Sequence, residues 1–106
     1  MKYKVVWSKF SEEKIDEIFE FYHDLSKSYD VALNIVTKIL LAPDILIDNP
    51  RIGQKEQSLE NRIIEYHYLV ESNCKIIYSI DDKRKLVKIA DVFDTRQDPV
   101  KIERKK

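Results

Sequence analysis

"RIIEYHYLVESNCKIIYSIDDKRKLVKIADVF", residues 62–93, decides the fold, because along it the apolar residues recur every second position. That is the period of half-buried strands and not of helices. In its first part the even positions Ile64, Tyr66, Tyr68 and Val70 are predicted to look inward, leaving Glu65, His67 and Glu71 on the other face with Ile63 and Leu69. "SN" at 72–73 predicts a hairpin turn, after which Cys74, Ile76, Tyr78 and Ile80 fall on one side. "LVKIADVF", 86–93, is apolar on both faces and therefore reads as a central strand, reached through the charged turn "DDKRK". Three strands in succession through short turns predict an antiparallel meander.

Towards the N-terminus the pattern changes. "KYKVVWS", 2–8, alternates with Tyr3, Val5 and Trp7 on one side and reads as a strand. Ser11 is a plausible N-cap for the helix that follows, with Phe10 and Ile15 at staple positions and Glu12 and Glu13 suited to the positive end of the dipole. Ile15, Ile18, Phe19, Tyr22 and Leu25 form its apolar stripe. Behind a cap at Asp30, a second stripe runs through Ala32, Ile35, Val36, Ile39 and Leu40, so the two helices are expected as antiparallel neighbours. Pro43 ends or kinks the second helix, and "DNPRIG" closes the region. The expected architecture is α+β: an N-terminal strand, an antiparallel helical hairpin on one face, then a mainly antiparallel sheet, in the order β-α-α-β-β-β.

With 106 residues, 43% hydrophobic and 36% charged, the chain suits a single globular domain over 1–106 with a sizeable core. Its one cysteine, Cys74, has no partner in the chain for a disulfide. "MKYKVVWSKF" has no apolar run of signal-peptide length, and "IVTKILLAPDILI" is broken by Lys38, Pro43 and Asp44 before it would span a membrane, so a cytoplasmic protein with no membrane partner is expected. A net charge of zero argues against a generic nucleic-acid binder. Residues 51–106 are nevertheless positive by three, with 13 Lys or Arg against 10 Asp or Glu, and the tail "KIERKK" concentrates the excess.

His23, His67 and Cys74 lack the paired spacings of a zinc site, and neither a glycine-rich phosphate loop nor a nucleophile elbow is present, so no metal or cofactor is expected. What remains is the sheet face expected to lie away from the helices. Glu65 and His67 leave one strand on the same side, Lys75 and Ser79 are expected beside them, and Arg96 stands where the last strand ends in "DTRQDP". Arginine offers a fixed fork of donors for phosphate, and histidine moves protons near neutral pH, a combination suited to phosphodiester cleavage. The competing readings are structural: His67 as a cross-strand partner paired with Glu65, Arg96 as a turn-fixing partner of Asp94 or Asp98, and Tyr66, Tyr68 and Tyr78 as core.

In order, "YKVVWS", the helical hairpin, "NPRIG", "EYHYLVESNCKIIYSID" and "IADVFDTRQDP" resemble the RelE/ParE superfamily of toxins from bacterial type II toxin-antitoxin modules, over nearly the whole chain. The resemblance implies a toxin neutralised by a cognate antitoxin that wraps its surface. RelE-like members cleave mRNA on the ribosome, whereas ParE-like members inhibit DNA gyrase without being nucleases. Under the RelE-like reading, His67 and Arg96 are the catalytic candidates, with Arg96, Lys75, Lys101 and Arg104 contacting target or phosphate. This sequence departs from that pattern: His67 stands where many relatives have arginine, Tyr68 and Val70 occupy positions that are basic in RelE itself, and no tyrosine or histidine follows Arg96. The ParE-like reading, which needs only a recognition surface, is therefore favoured. A third reading is a non-toxic partner that binds its antitoxin and acts in repression of their operon. In all three, Ile63, Leu69 and Ile77 are expected to form the antitoxin dock, and that surface to drive self-association when unbound.

Overall fold

The computed structural model describes residues 2–56 and 64–95, so Ile63, Arg96, Lys101 and Arg104 lie outside the described residues. Each change of hydrophobic period marks a change of element. The order is β1 (Lys4–Trp7), α1 (Lys9–Ser26), α2 (Tyr29–Leu41), a short 3-10 helix (Ala42–Ile47), β2 (Gln54–Lys55), β3 (Tyr66–Glu71), β4 (Cys74–Asp81) and β5 (Leu86–Asp94). Among the described residues these strands form one sheet, ordered β1-β5-β4-β3-β2. β1 joins β5 in parallel, and every other pairing is antiparallel. The expected α+β architecture is present, with β2 as an addition at the edge.

The helix starts sit earlier than expected. Ser8, not Ser11, caps α1, its Oγ accepting the Ser11 N–H at 3.0 Å, while Ser11 is buried inside the first turn. Phe10 thus lies within the helix, which undoes the expected staple. Likewise Ser28, not Asp30, caps α2, accepting from the Val31 N–H at 3.2 Å. Lys27 closes α1 in the left-handed conformation, φ 59°, and returns its N–H to the His23 carbonyl. Pro43 sits in the first turn of the 3-10 helix, where its missing N–H costs nothing.

One face of the sheet carries the core. Ile15, Ile18 and Tyr22 from α1 and Ala32, Val36 and Ile39 from α2 pack on Cys74, Ile76 and Tyr78 of β4 and on Val87, Ile89 and Val92 of β5. Leu25 and Leu40, expected on these stripes, are instead exposed. The β3–β4 hairpin turns at Ser72 and Asn73, both at positive φ, with Glu71 opposite Cys74. In β5, Ile77 pairs with Asp91 and Tyr78 with Ile89, which leaves Ala90 as an extra residue. This bulge brings Val92 back to the face of Val87 and Ile89. The apparent two-faced apolarity of "LVKIADVF" is therefore largely one face interrupted by a bulge.

Register reverses the expected facing of β3. Leu69 opposes Ile76 and His67 opposes Tyr78, so the odd positions face the core side, while Val70, opposite Lys75, is 63% exposed. The sequence of β3 carries apolar or aromatic residues at both parities and does not by itself fix which set turns inward.

Candidate functional site

Because directly opposed residues share a face, His67 and Tyr78 leave one side of the sheet, and Val70 and Lys75 the other. The expected grouping of His67 with Lys75 and Ser79 is accordingly not formed. Ile77 opposes Tyr68 and Leu69 opposes Ile76, so Leu69 and Ile77 also lie on opposite faces.

His67 is held between two partners. Its ring stacks on Tyr78 with centroids 5.6 Å apart, and Nε2 lies 3.0 Å from Glu65 Oε2. The side chain is 12% exposed, and Nδ1 is buried with no hydrogen-bond partner among the described residues. The pairing with Glu65 is thus present, but the histidine is far less exposed than a cross-strand surface partner. Its carboxylate neighbour is 60% exposed and marks the open side of the pair.

On the far face, the Lys75 ammonium lies 2.7 Å from Glu56 Oε1 and 4.1 Å from the centroid of the Tyr68 ring. Glu56 is buried, and its N–H donates to the Tyr66 carbonyl at 2.8 Å beyond the last pair of β2. The Tyr68 hydroxyl donates to Gln54 Oε1 at 2.9 Å. Lys75 is therefore tied to the β2 edge by a charge and a ring. Sequence reasoning missed this partner because β2 is two residues long and carries no periodic signal.

Tyr78 organises the loop before β2. Its hydroxyl donates to the Pro50 carbonyl at 2.9 Å and accepts the Gly53 N–H at 3.1 Å. Burial raises the phenol's pKa, a shift that the Gly53 bond and the nearby Arg51 charge partly offset. Arg51 in turn forks onto Asp82, with Nη1 3.2 Å from Oδ1, and Asp82 also accepts from the Tyr3 hydroxyl at 2.6 Å. These bonds, the arginine's first, hold the Asp82 carboxyl down at about 2, and the same pairing raises Arg51. Asp81 is lowered chiefly by accepting the Arg84 N–H, with Lys88 adding to it. In the core, the Tyr22 hydroxyl donates to the buried Asp94 carboxylate.

No helix among the described residues is long and apolar enough to cross a membrane. The solved structures that share this fold include toxin-antitoxin assemblies. One is described as a chromosomal ParDE system from P. aeruginosa, with a TM-score of 0.71, 15% identity, and 88% of this chain and 96% of that chain covered. Another is the RelBE2 toxin-antitoxin complex from Mycobacterium tuberculosis, with a TM-score of 0.59, 16% identity, and 89% and 99% covered. A search of curated protein sequences finds no match. The family model described as "ParE toxin of type II toxin-antitoxin system, parDE" spans residues 5–99, nearly the whole of the sheet and both helices. The chain belongs to this family of type II toxin-antitoxin toxins.

Proposed function

We infer that this toxin arrests growth as ParE-like members do, by binding and inhibiting DNA gyrase rather than by cleaving RNA. The observation that carries the reading is the separation of the candidate acid-base groups. His67 is sandwiched between Glu65 and Tyr78 on the core side, Lys75 is held by Glu56 on the other, and neither is presented with the other to a substrate. A general acid or base must come within hydrogen-bond reach of the proton it moves. A recognition surface has no such requirement.

A cognate antitoxin belongs to this reading, as two of the solved structures it resembles are described as toxin-antitoxin assemblies. Of the expected docking residues, Leu69 lies on the core side and Ile77 on the face away from the helices, where it is itself buried, so we assign the antitoxin contact to the exposed margin of that face, at Val70. The chain acts in the cytoplasm, where gyrase is.

The test is induced expression without antitoxin, following growth, mRNA ends and the DNA-damage response, for the natural chain and for His67→Ala. Arrest with a damage response, intact mRNA and undiminished toxicity of His67→Ala is expected. Cleavage ends at ribosomal A-site codons, abolished by His67→Ala or Arg96→Ala, would return the RelE-like reading with Lys75, Lys101 and Arg104 as RNA contacts. Soluble protein without arrest would leave a non-toxic antitoxin partner.

A further inference from the structure

The turn between β4 and β5 carries dense positive charge. Lys83, Arg84 and Lys85 stand in succession there, with Lys88 just beyond on β5. The Lys4 N–H donates to the Lys85 carbonyl at 2.8 Å, which sets the first residue of β1 beside them, and Arg51 reaches the same turn through Asp82. Taken with the two carboxylates Asp81 and Asp82, these six basic side chains sum to four positive charges, in a chain of zero net charge. Much of the opposite charge sits on α1, where six acidic residues face two lysines.

Both carboxylates are committed to partners. Asp82 holds Arg51 and Tyr3, while Asp81 accepts the Arg84 N–H at 3.1 Å and lies 3.5 Å from Lys88 Nζ. Lys4, Lys83 and Lys85 make no ion pair among the described residues. Their charge is available to a partner.

The chemistry of that partner follows from what surrounds the lysines. Protein interfaces are poor in lysine and centre on aromatic or aliphatic anchors. Here none of the exposed large apolar residues falls on β1 or within 81–88; five lie on α2, at Tyr29, Val31, Leu33, Leu40 and Leu41, and the one nearest in sequence to the patch is Ile52, beside Arg51. Unpaired nucleic-acid strands are held by free aromatic platforms. The aromatic at the start of β1, Tyr3, is occupied, with Lys85 Nζ 5.2 Å from its ring centroid and its hydroxyl on Asp82. Lysine-rich, apolar-poor surface without a stacking platform suits a continuous row of phosphates. The geometry points to the β4–β5 turn, with Lys4 and Lys88, as a sequence-independent contact for the phosphate backbone of duplex DNA. The choice of DNA over an RNA duplex rests on the gyrase reading; the positive turn does not.

The experiment is fluorescence anisotropy of the full chain on a labelled DNA duplex of arbitrary sequence, without gyrase, across a salt series. With about three phosphates neutralised, affinity is expected to fall roughly 40-fold between 50 and 200 mM salt. Lys83→Glu/Arg84→Glu should weaken binding at least tenfold, on the scale of two lost phosphate contacts. Lys9→Glu/Lys38→Glu makes the same charge change on the helical hairpin and should move affinity less than about twofold. If the turn variant fails to fold, Lys83→Ala alone should still reduce the salt slope by about one contact. Equal weakening by both double variants, salt-independent binding, or tighter binding to polyglutamate would overturn the contact. Tighter binding to an RNA duplex would overturn the assignment to DNA. Turn-dependent DNA binding without gyrase inhibition would support the contact and remove the gyrase reading instead.

Discussion

The chain's single glycine sits where nothing larger fits. A Cβ on Gly53 would stand 2.3 Å from the Tyr78 hydroxyl and 2.8 Å from the Tyr68 carbonyl, and both distances are below any real contact. Gly53→Ala should therefore destabilise by about 1–3 kcal/mol in denaturant unfolding, the range of overpacking in a fitted site. Tyr78→Phe strands the Gly53 N–H and the Pro50 carbonyl and should cost about 1–3 kcal/mol. The double variant should lose less than the sum, since deleting the hydroxyl removes one of the two clashes. Strictly additive losses would show that the two residues do not meet as described. At this scale the sequence was partly legible. The lone glycine before the sheet was visible as punctuation, but its partner was not, because Tyr78 lies twenty-five residues away and its hydroxyl reads simply as part of an inward tyrosine. His67 was legible as a residue of interest, and so was its pairing with Glu65. Its burial was not, since that depends on which parity of β3 turns inward.

Between elements, small polar contacts set the boundaries. Ser8 both accepts the Ser11 N–H and follows the last residue of β1, so it fixes where strand becomes helix. Ser8→Ala should cost about 1 kcal/mol, the usual loss for an N-cap, whereas Ser11→Ala should act through packing because that hydroxyl is buried and donates to the Ser8 carbonyl at 2.7 Å. The Arg51–Asp82–Tyr3 contacts strap the loop before β2 to the β4–β5 turn and to the start of β1. Asp82 binds its proton more weakly in the folded chain, at about 2 against an ordinary 3.8. Its contribution is therefore fully present above pH ~4 and is lost as the pH falls towards about 2. Asp82→Asn should lower stability at neutral pH and flatten this part of the acid limb; an unchanged acid limb would mean that the strap does not couple to folding. Helices and the three long strands were readable from period alone, and the order of elements followed. The bulge at Ala90, the short β2 and the reversal of β3 were not, because each is decided by pairing with a partner strand and leaves no periodic mark of its own.

For the whole molecule, a formal charge of zero conceals an acidic helix at one place and a basic turn at another. Net charge alone argued against nucleic acid, and it was the fold that gathered Lys4 and Arg51 next to a turn distant in sequence. The same folding put His67 and Lys75, which the sequence had grouped, on opposite faces of the sheet. Membership in a toxin family was legible from ordered segments because fold order survives where individual side chains drift. The target was not, because recognition depends on surface groups that no single motif declares.

β1 lies in the middle of none of this, yet it has the longest wait. Its hydrogen-bonding partner is β5, so Lys4 emerges first during synthesis and pairs with Leu86 only after every other described strand has been made. No earlier strand offers that partner. The sheet therefore closes from its late side, and a chain cut short before Leu86 has an unpaired first strand and an unfinished core. For a toxin of this family the consequence is one of timing: the five-stranded sheet is complete only once β5, its last strand, has been made.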